Sequence, residues 1–414
     1  PSYEGGMPSP EPLPFDAALT RLLAEVSPLA VETLPLPESA GRRLAGPARA
    51  RGPLPAFDHA TMDGFALRAS EFVTETSMPL HGEARAGRAA PPLRSGHAMR
   101  IFTGAPLPAG ADAVVAQEDA KYTDESVHFA PSAQDVVPGK FVRRCGSELA
   151  EGAEAAAAGS EVGPGLLALL ALLDLGNVSV YRRPRVVVVP TGDELRAPGS
   201  TPWAGSIPEA NGAMIAAMAR ANGAEASVAA IARDDRDTTL AALSDALRDA
   251  DLVVPIGGVS VGDHDHVPAA LDTLGVKRAF YKIAIKPGKP LLFGTHVASD
   301  GHTARVLALP GNPASAFVTF FLFGLPLLRA LAGAPSPRPT PRKATLRQAV
   351  RHATGRLEFL RGFLHDDGTV EALAAQASGA ATSLAAANAL LAMPAELAEL
   401  AAGSSIDVYP LSTR

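Results

Sequence analysis

Between Arg185 and Leu328, short β-branched runs alternate with helical stretches, and this alternation constrains the fold more than any other feature of the 414-residue chain. Val186–Val189 is a continuous β-branched run, the pattern of a strand buried on both faces. Asn211–Ala221 predicts a helix, Ser227–Ile231 a strand, Thr238–Asp249 a helix and Leu252–Ile256 a strand. Further strands are expected at Phe280–Ile285, Leu291–Phe293 and Val306–Leu309, and a long apolar helix at Pro313–Leu328. Strands alternating with helices imply an α/β domain whose mainly parallel sheet is covered on both faces.

The flanks read differently. Phe15, Leu19, Leu22, Leu23 and Val26 fall on one side of an expected helix over Pro14–Ala30. Pro35, Pro37, Pro47, Pro53 and Pro55 follow. From about Ala56 to Phe141, short apolar runs such as Met99–Phe102, Ala113–Ala116 and Ser126–Phe129 alternate with Gly, Pro and Asp, as in a β-rich module. Ala155–Ala158 reads as connecting structure. Pro164–Leu175 predicts a helix with Pro at its start and Gly176 just past its end. Gly333–Pro341 holds four prolines and reads as a linker. Ala344–Val350, Gly368–Leu373 and Ser405–Tyr409 then suggest a small C-terminal β domain. The expected division is a helical/linker region (8–50 and 145–182), a β-rich module (51–144), an α/β domain (183–332) and a C-terminal β domain (338–414).

Composition narrows the class. Hydrophobic residues make up 47% and charged residues 19%, ordinary values for a soluble globular protein. The net charge of −6, with no Lys/Arg block, argues against nucleic-acid binding. Cys145 is the sole cysteine, so no intrachain disulfide and no Cys-based zinc site can form, in keeping with a reducing cytoplasm. No signal peptide is recognised, and the apolar run Leu166–Leu175 is too short to cross a bilayer. The expectation is a cytoplasmic protein with no membrane partner.

In parallel α/β sheets, ligands bind outside the carboxyl ends of the strands. Four expected strands end in loops of chemical interest: Pro190–Glu194, Gly257–Asp265, Lys286–Pro290 and Pro310–Pro313. Gly257 and Gly258 allow close backbone approach and are expected to point N–H groups inward. Ser260 can donate to a phosphate oxygen. Lys282, Lys286 and Lys289 offset negative charge, and alternation along one strand would put Lys282 and Lys286 on the same face. Gly311-Asn312-Pro313 opens a helix whose N-terminus favours an anion. Asp193, Glu194, Asp263 and Asp265 add carboxylates beside those donors, a combination that suits Mg²⁺ bridged to a substrate phosphate. Each loop alone has a plainer reading: Gly-Gly as a turn, Asp-Glu as a helix cap, Lys-Pro-Gly-Lys as a solvated turn. His264 and His266 lack a cysteine partner for a metal site. The chain has no Walker loop, no G-x-G-x-x-G on a first strand and no Ser-His-Asp arrangement. Together the loops indicate an enzyme acting on a phosphorylated small molecule.

The motifs also carry a resemblance. Thr61–Ala66 (TMDGFA), Phe102–Pro108 (FTGAPLP), Thr191–Leu195 (TGDEL), the Gly257–Asp265 loop, Lys282–Pro290 and Leu309–Pro313 occur across most of the chain in one order. The ordered set resembles the molybdopterin molybdenumtransferase family, that of MoeA and the gephyrin E domain. The resemblance implies an elongated four-part protomer: a helical/linker region, a β module carrying Asp63 and Thr103, a molybdopterin-binding α/β domain and a C-terminal β-barrel. It implies a homodimer in which the β module of one protomer faces the α/β domain of the other. The implied reaction inserts molybdate into adenylylated molybdopterin and releases AMP, with Mg²⁺ as cofactor. It makes Asp63, Glu194, Asp265, Lys282 and Lys286 catalytic, with Glu194 and Asp265 on the metal. Thr103, Gly257, Gly258, Ser260, Lys289, Pro310, Asn312 and Pro313 would bind the pterin nucleotide, and Arg361 and Ser378 would lie near molybdate. The chain departs from the family where Gln376-Ala377-Ser378 replaces a common Gln-Gly-Ser, and where histidines flank Asp265 in place of aromatic residues.

Two other readings compete. A molybdopterin adenylyltransferase would share the α/β domain, but the flanking β module and C-terminal domain argue against it. That enzyme is instead an expected partner, because the chain shows no separate adenylyltransferase domain. A non-catalytic, gephyrin-like dimeric scaffold would have no need of Asp63, Glu194, Asp265 and the lysines together.

Overall fold

The computed structural model describes residues 11–259 and 265–411. The chain divides into two compact units. One comprises Pro1–Glu32, Gly41–Arg43 and Tyr181–Arg414, the other Thr33–Ala40 and Leu44–Val180.

The first unit is organised by six strands: β1 (Arg185–Pro190), β2 (Glu225–Val228), β3 (Leu252–Ile256), β4 (Lys277–Tyr281), β5 (Leu292–Val297) and β6 (Thr303–Ala308). Their spatial order is β2-β1-β3-β6-β5-β4. β2, β1, β3 and β6 are mutually parallel, whereas β5 runs antiparallel to both β6 and β4. The sheet is therefore mainly parallel with one reversed strand. Val186, Val188, Val189 and all five residues of β3 are buried, because helices cover both faces. On one face Val188, Val254 and Leu307 pack with Ile215 and the Phe320–Leu328 segment. On the other, Val189, Val253 and Val306 pack with Leu243, Leu247 and Leu271.

The helical path from Pro313 to Leu331 is α-helical over Pro313–Thr319, takes a π turn over Phe320–Gly324, and resumes as α-helix over Leu325–Leu331. It is the one helix among the described residues long and apolar enough to cross a membrane, but 83% of its apolar window is buried inside the fold. Its side chains fill the core instead.

The N-terminal helix covers Phe15–Ala24, short of the expected Ala30. Pro28 lacks the N–H and the room needed to continue it. Phe15 meets Phe323 and Phe359 edge-on, each at 5.5 Å between ring centroids. Arg342–Leu346, Leu357–Leu364, Thr369–Ala372, Ala389–Met393 and Ser405–Pro410 form a C-terminal sheet, and pairing of Leu357–Leu364 with Ala389–Met393 closes it into a five-stranded barrel. Closure removes the exposed edges that would invite aggregation.

The second unit centres on a six-stranded sheet in the order Ala113–Ala116, Gly64–Leu67, Ala98–Ile101, Ser77–Ala84, Ser126–Phe129, Ala120–Tyr122. Phe65, Val115 and Phe129 are buried on one face, and Ala66, Met99 and Val114 on the other. The low-complexity run near Ala155 is not mere connection: Glu154–Ala156 is a strand antiparallel to Ala48–Arg49. The helix Pro164–Leu172 packs Leu170 against Leu36, Leu44 and Val180.

Candidate active site

β1, β3, β4 and β6 share one direction, so the loops that follow them leave the sheet at one edge, as the sequence implies. Backbone bonds lock three of these loops together. The Thr191 N–H donates to the Ile256 carbonyl at 2.9 Å, and the Gly257 N–H donates to the Leu309 carbonyl at 3.1 Å. The expectation that the Gly257 N–H points inward for a ligand does not hold, because the Leu309 carbonyl takes it. Asn211 Nδ2 donates to the Gly311 carbonyl at 2.6 Å. That bond ties the Pro310–Pro313 loop to the start of the helix Asn211–Ala221. Asn312 occupies the N-cap of the helix beginning at Pro313. The Ala314 N–H in its first turn donates to the Ser378 carbonyl at 3.0 Å. Gly257, Gly258, Pro310, Asn312, Pro313 and Ser378 thus gather around one sheet edge and one helix N-terminus, where the helix dipole favours an anion.

The lysine segment is not one strand. β4 ends at Tyr281, and Lys282 has φ +71°, a left-handed conformation that interrupts an extended run. Ile285–Lys286 instead pairs in parallel with Leu357 and Glu358 of the barrel. The single-strand alternation expected for Lys282 and Lys286 therefore does not apply. Lys282 Nζ stands 5.2 Å from the centre of the Tyr281 ring. Lys286 Nζ pairs with Glu358 Oε1 at 2.9 Å. Lys289 is exposed on the same loop. That loop is not a loose solvated turn. Gly288 has φ +109°, and a Cβ there would fall 2.3 Å from Thr319 Cγ2, so only glycine lets the loop lie on the helix that begins at Pro313.

Arg361 is 1% exposed despite its charge. Its guanidinium donates to the carbonyls of Ala375 at 2.8 Å and Ala377 at 3.0 Å, and to Ser383 Oγ at 3.1 Å. Burial pulls the guanidinium below its ordinary pKa, and the charge of Glu358 opposes that shift. Arg361 therefore shapes the turn that delivers Ser378 to the helix N-terminus. Gln376 completes the turn by donating to the carbonyls of Arg361 and Leu373.

The carboxylates are distributed unevenly. Asp193 and Asp234 exchange backbone N–H bonds at 3.2 and 3.3 Å, joining the loop after β1 to the connection after β2. Glu194 is exposed, and its carboxylate folds back over Gly192, where a Cβ would meet Oε2 at 2.5 Å. Asp265 sits at the N-cap position of the helix His266–Thr273. Ser260, Asp263 and His264 lie outside the described residues. Among the described residues, no group of three or more His, Cys, Asp or Glu side chains is arranged to hold a metal.

In the second unit, Asp63 and Thr103 form a pair of their own. Asp63 Oδ1 accepts from the Thr103 N–H and from Thr103 Oγ1, both at 2.8 Å. These bonds, the backbone one first, hold the Asp63 carboxyl below the usual aspartate pKa, with Arg100 adding a smaller pull. Gly64 explains the next motif position: a Cβ would sit 1.9 Å from the Val115 carbonyl of the neighbouring strand.

Sequence reasoning missed Asn211, Glu358 and His352. Asn211 had a signal as the first residue of a recognised helix. Glu358 and His352 had little, since their partners lie on other strands and turns.

Comparison with known proteins agrees with this architecture along the whole chain. The MoeA N-terminal region (domain I and II) matches residues 13–173, a probable molybdopterin binding domain matches 187–330, and the MoeA C-terminal region (domain IV) matches 343–411. Molybdopterin molybdenumtransferase 2 of Mycobacterium tuberculosis strain H37Rv is 37% identical over 392 residues, covering 92% of this chain and 95% of that protein. The molybdopterin molybdenumtransferase of Synechococcus elongatus is 35% identical, covering 96% and 100%. The crystal structure of the molybdopterin biosynthesis MoeA protein of Pyrococcus horikoshii OT3 superposes with a TM-score of 0.82 at 26% identity, covering 97% of this chain and all of that one. With these matches and this fold, the chain belongs to the molybdopterin molybdenumtransferase (MoeA) family of molybdenum cofactor biosynthesis enzymes.

Proposed function

We propose that the chain inserts molybdate into adenylylated molybdopterin and releases AMP. The observation that carries this reading is the convergence of the Gly257, Pro310–Pro313 and Ser378 segments on one helix N-terminus, with the Lys286–Lys289 loop packed against the same helix. Molybdate and the phosphoanhydride are both anions. Amides and lysines at this edge hold them close without the reorganisation that water would require. Lys282, Lys286 and Lys289 bind and orient the phosphates. Thr103, Gly257, Gly258, Ser260, Pro310, Asn312 and Pro313 shape the pterin-nucleotide pocket, and Arg361 and Ser378 serve the molybdate end. Asp63, Glu194 and Asp265 are the acidic groups that position the attacking oxygen at the phosphoanhydride.

The donor set fits Mg²⁺ carried by the substrate rather than caged by the protein. That ion takes one or two carboxylates and fills its remaining positions with phosphate oxygens and water. Glu194 and Asp265 would hold it, and it would neutralise phosphate charge. The reaction is proposed for the cytoplasm, supplied by a molybdopterin adenylyltransferase.

Purified protein given adenylylated molybdopterin, molybdate and Mg²⁺ should release AMP and yield active cofactor. Neither product from folded protein would sink the reading. Given molybdopterin and Mg-ATP instead, it should make no adenylylated pterin. Asp265→Ala should lower AMP release about a hundredfold or more with the fold retained.

We also propose a homodimer in which the β module of one protomer serves the α/β domain of the other. Asp63→Ala and Asp265→Ala protomers should each be inactive alone. Mixed and allowed to exchange, they should regain about one quarter of wild-type turnover, because half the dimers are hybrids with one intact site of two. No recovery on verified exchange would refute the shared site.

A further inference from the structure

Behind Lys286 runs a line of charged groups that the family motifs do not include. Lys286 Nζ, on a side chain 45% exposed, lies 2.9 Å from Glu358 Oε1, and the Glu358 side chain is only 6% exposed. The other carboxylate oxygen, Oε2, lies 3.1 Å from His352 Nδ1, and the His352 side chain is 1% exposed. His352 Nε2 faces two carbonyl oxygens, Pro394 at 3.0 Å and Leu397 at 2.5 Å. Both ring nitrogens therefore face oxygen acceptors. A neutral imidazole has one donor and one acceptor nitrogen, so it would set a lone pair against an oxygen at one side. With Glu358 ionised against Lys286, a ring protonated at both nitrogens satisfies all three oxygens. Arg361, on the same strand as Glu358, turns its donors to Ala375, Ala377 and Ser383 instead.

We propose that Glu358 and a protonated His352 are positioning residues for Lys286: Glu358 fixes the lysine ammonium, and the imidazolium cancels the carboxylate's charge. The Lys286–Glu358–His352 line then presents one net positive charge at its exposed end. Without His352 the pair would be neutral and a poor anchor for an anion. Burying a carboxylate is costly unless its oxygens are paired, and here both are. Cross-strand pairing of Lys286 with Glu358 sets the register that brings the three together. The proposal rests on the reading of Lys286 as an anion-binding residue.

Binding of AMP, followed by titration calorimetry on the full-length protein, tests both ideas separately. Lys286→Ala should weaken AMP about tenfold, the scale of one lost hydrogen bond to a charged group. Unchanged affinity would overturn the Lys286 reading, and the line's role in binding with it. His352→Gln should weaken AMP about threefold at low salt and less at high salt, because it leaves the Glu358 charge uncancelled. Adding Glu358→Gln to His352→Gln should recover affinity, since the uncancelled charge is then gone. A merely structural histidine predicts the opposite, a double variant weaker than the single, and that result would refute the proposal. Histidine-selective ¹⁵N labelling of the wild type gives a readout independent of any variant's folding. Both ring nitrogens of His352 should carry protons at neutral pH, and a single-proton tautomer would overturn the proposal.

Discussion

Asp63 and Lys286 carry opposite charges and are fixed by opposite means. Asp63 sits in the β module, and both of its anchoring bonds come from one residue, Thr103. Lys286 is held from below by a carboxylate buried in the C-terminal barrel, which is itself paired with a buried histidine. A carboxylate needs only an amide and a hydroxyl in a tight turn to be oriented. A lysine has a flexible four-carbon stem and a point charge, so its position has to be set by a counter-ion. That counter-ion must lie in the interior if the position is to be kept. The Asp63 device is therefore local and separable from the fold, whereas the Lys286 device is part of the barrel's construction.

The largest test of this contrast is stability. Glu358→Leu removes a buried ion that has two partners and strands His352 among carbonyls. It should cost about 3 kcal/mol in urea unfolding, near the low end for a broken buried pair because Lys286 stays half in water. Asp63→Ala should lower the urea midpoint far less, because it loses only two solvent-exposed bonds. Equal effects of the two substitutions would break the distinction.

A smaller test probes how the lysine loop is seated. Gly288→Ala combines an unfavourable φ with a Cβ 2.3 Å from Thr319 Cγ2, and should cost about 2 kcal/mol. Thr319→Ser deletes that methyl group and should return part of the loss. If the double variant melts no higher than Gly288→Ala alone, the close approach to the helix is not what glycine provides there.

The same contrast governs what the sequence revealed. Features fixed by local pattern were legible: the β3 run Leu252–Ile256, the helix Asn211–Ala221, and the strands Ala113–Ala116 and Ser126–Phe129 fall where their residues place them. Apolar periodicity and turn residues carry that information in a short window. Features fixed by distant partners were not. Leu357–Leu364 is a barrel strand that contains Glu358, Arg361 and Gly362, residues that argue against a strand until their partners are known. The lysine segment looked like one strand because nothing in its composition marks Lys282 as left-handed, or Ile285–Lys286 as paired to the barrel. For the candidate site, the ordered motifs identified the loops and the helix N-terminus. They did not reveal that the Gly257 N–H is taken by Leu309, since that bond depends on the spacing of β3 and β6.

The smallest expected effect concerns Asp63, where the local device can be dissected one bond at a time. Its carboxyl is held below the usual aspartate range by the Thr103 N–H first and the Thr103 hydroxyl second. A depressed folded-state pKa means that the stabilisation from these bonds is fully present above the ordinary aspartate value. It is lost as pH falls through the folded one. Thr103→Val removes the hydroxyl and keeps the N–H, so the folded pKa should rise part of the way back. If Asp63 must be ionised for turnover, the acid limb of kcat/KM should move to higher pH in Thr103→Val, with rates above neutral pH little changed. Thr103→Ser should restore the wild-type limb, because it returns the hydroxyl without the methyl group. A limb that stays in place in Thr103→Val would show that the hydroxyl contributes nothing to Asp63. A limb that moves equally in Thr103→Ser, which keeps the hydroxyl, would show that the shift does not report the hydroxyl bond, and the account of a carboxylate tuned by two bonds from one residue would fail.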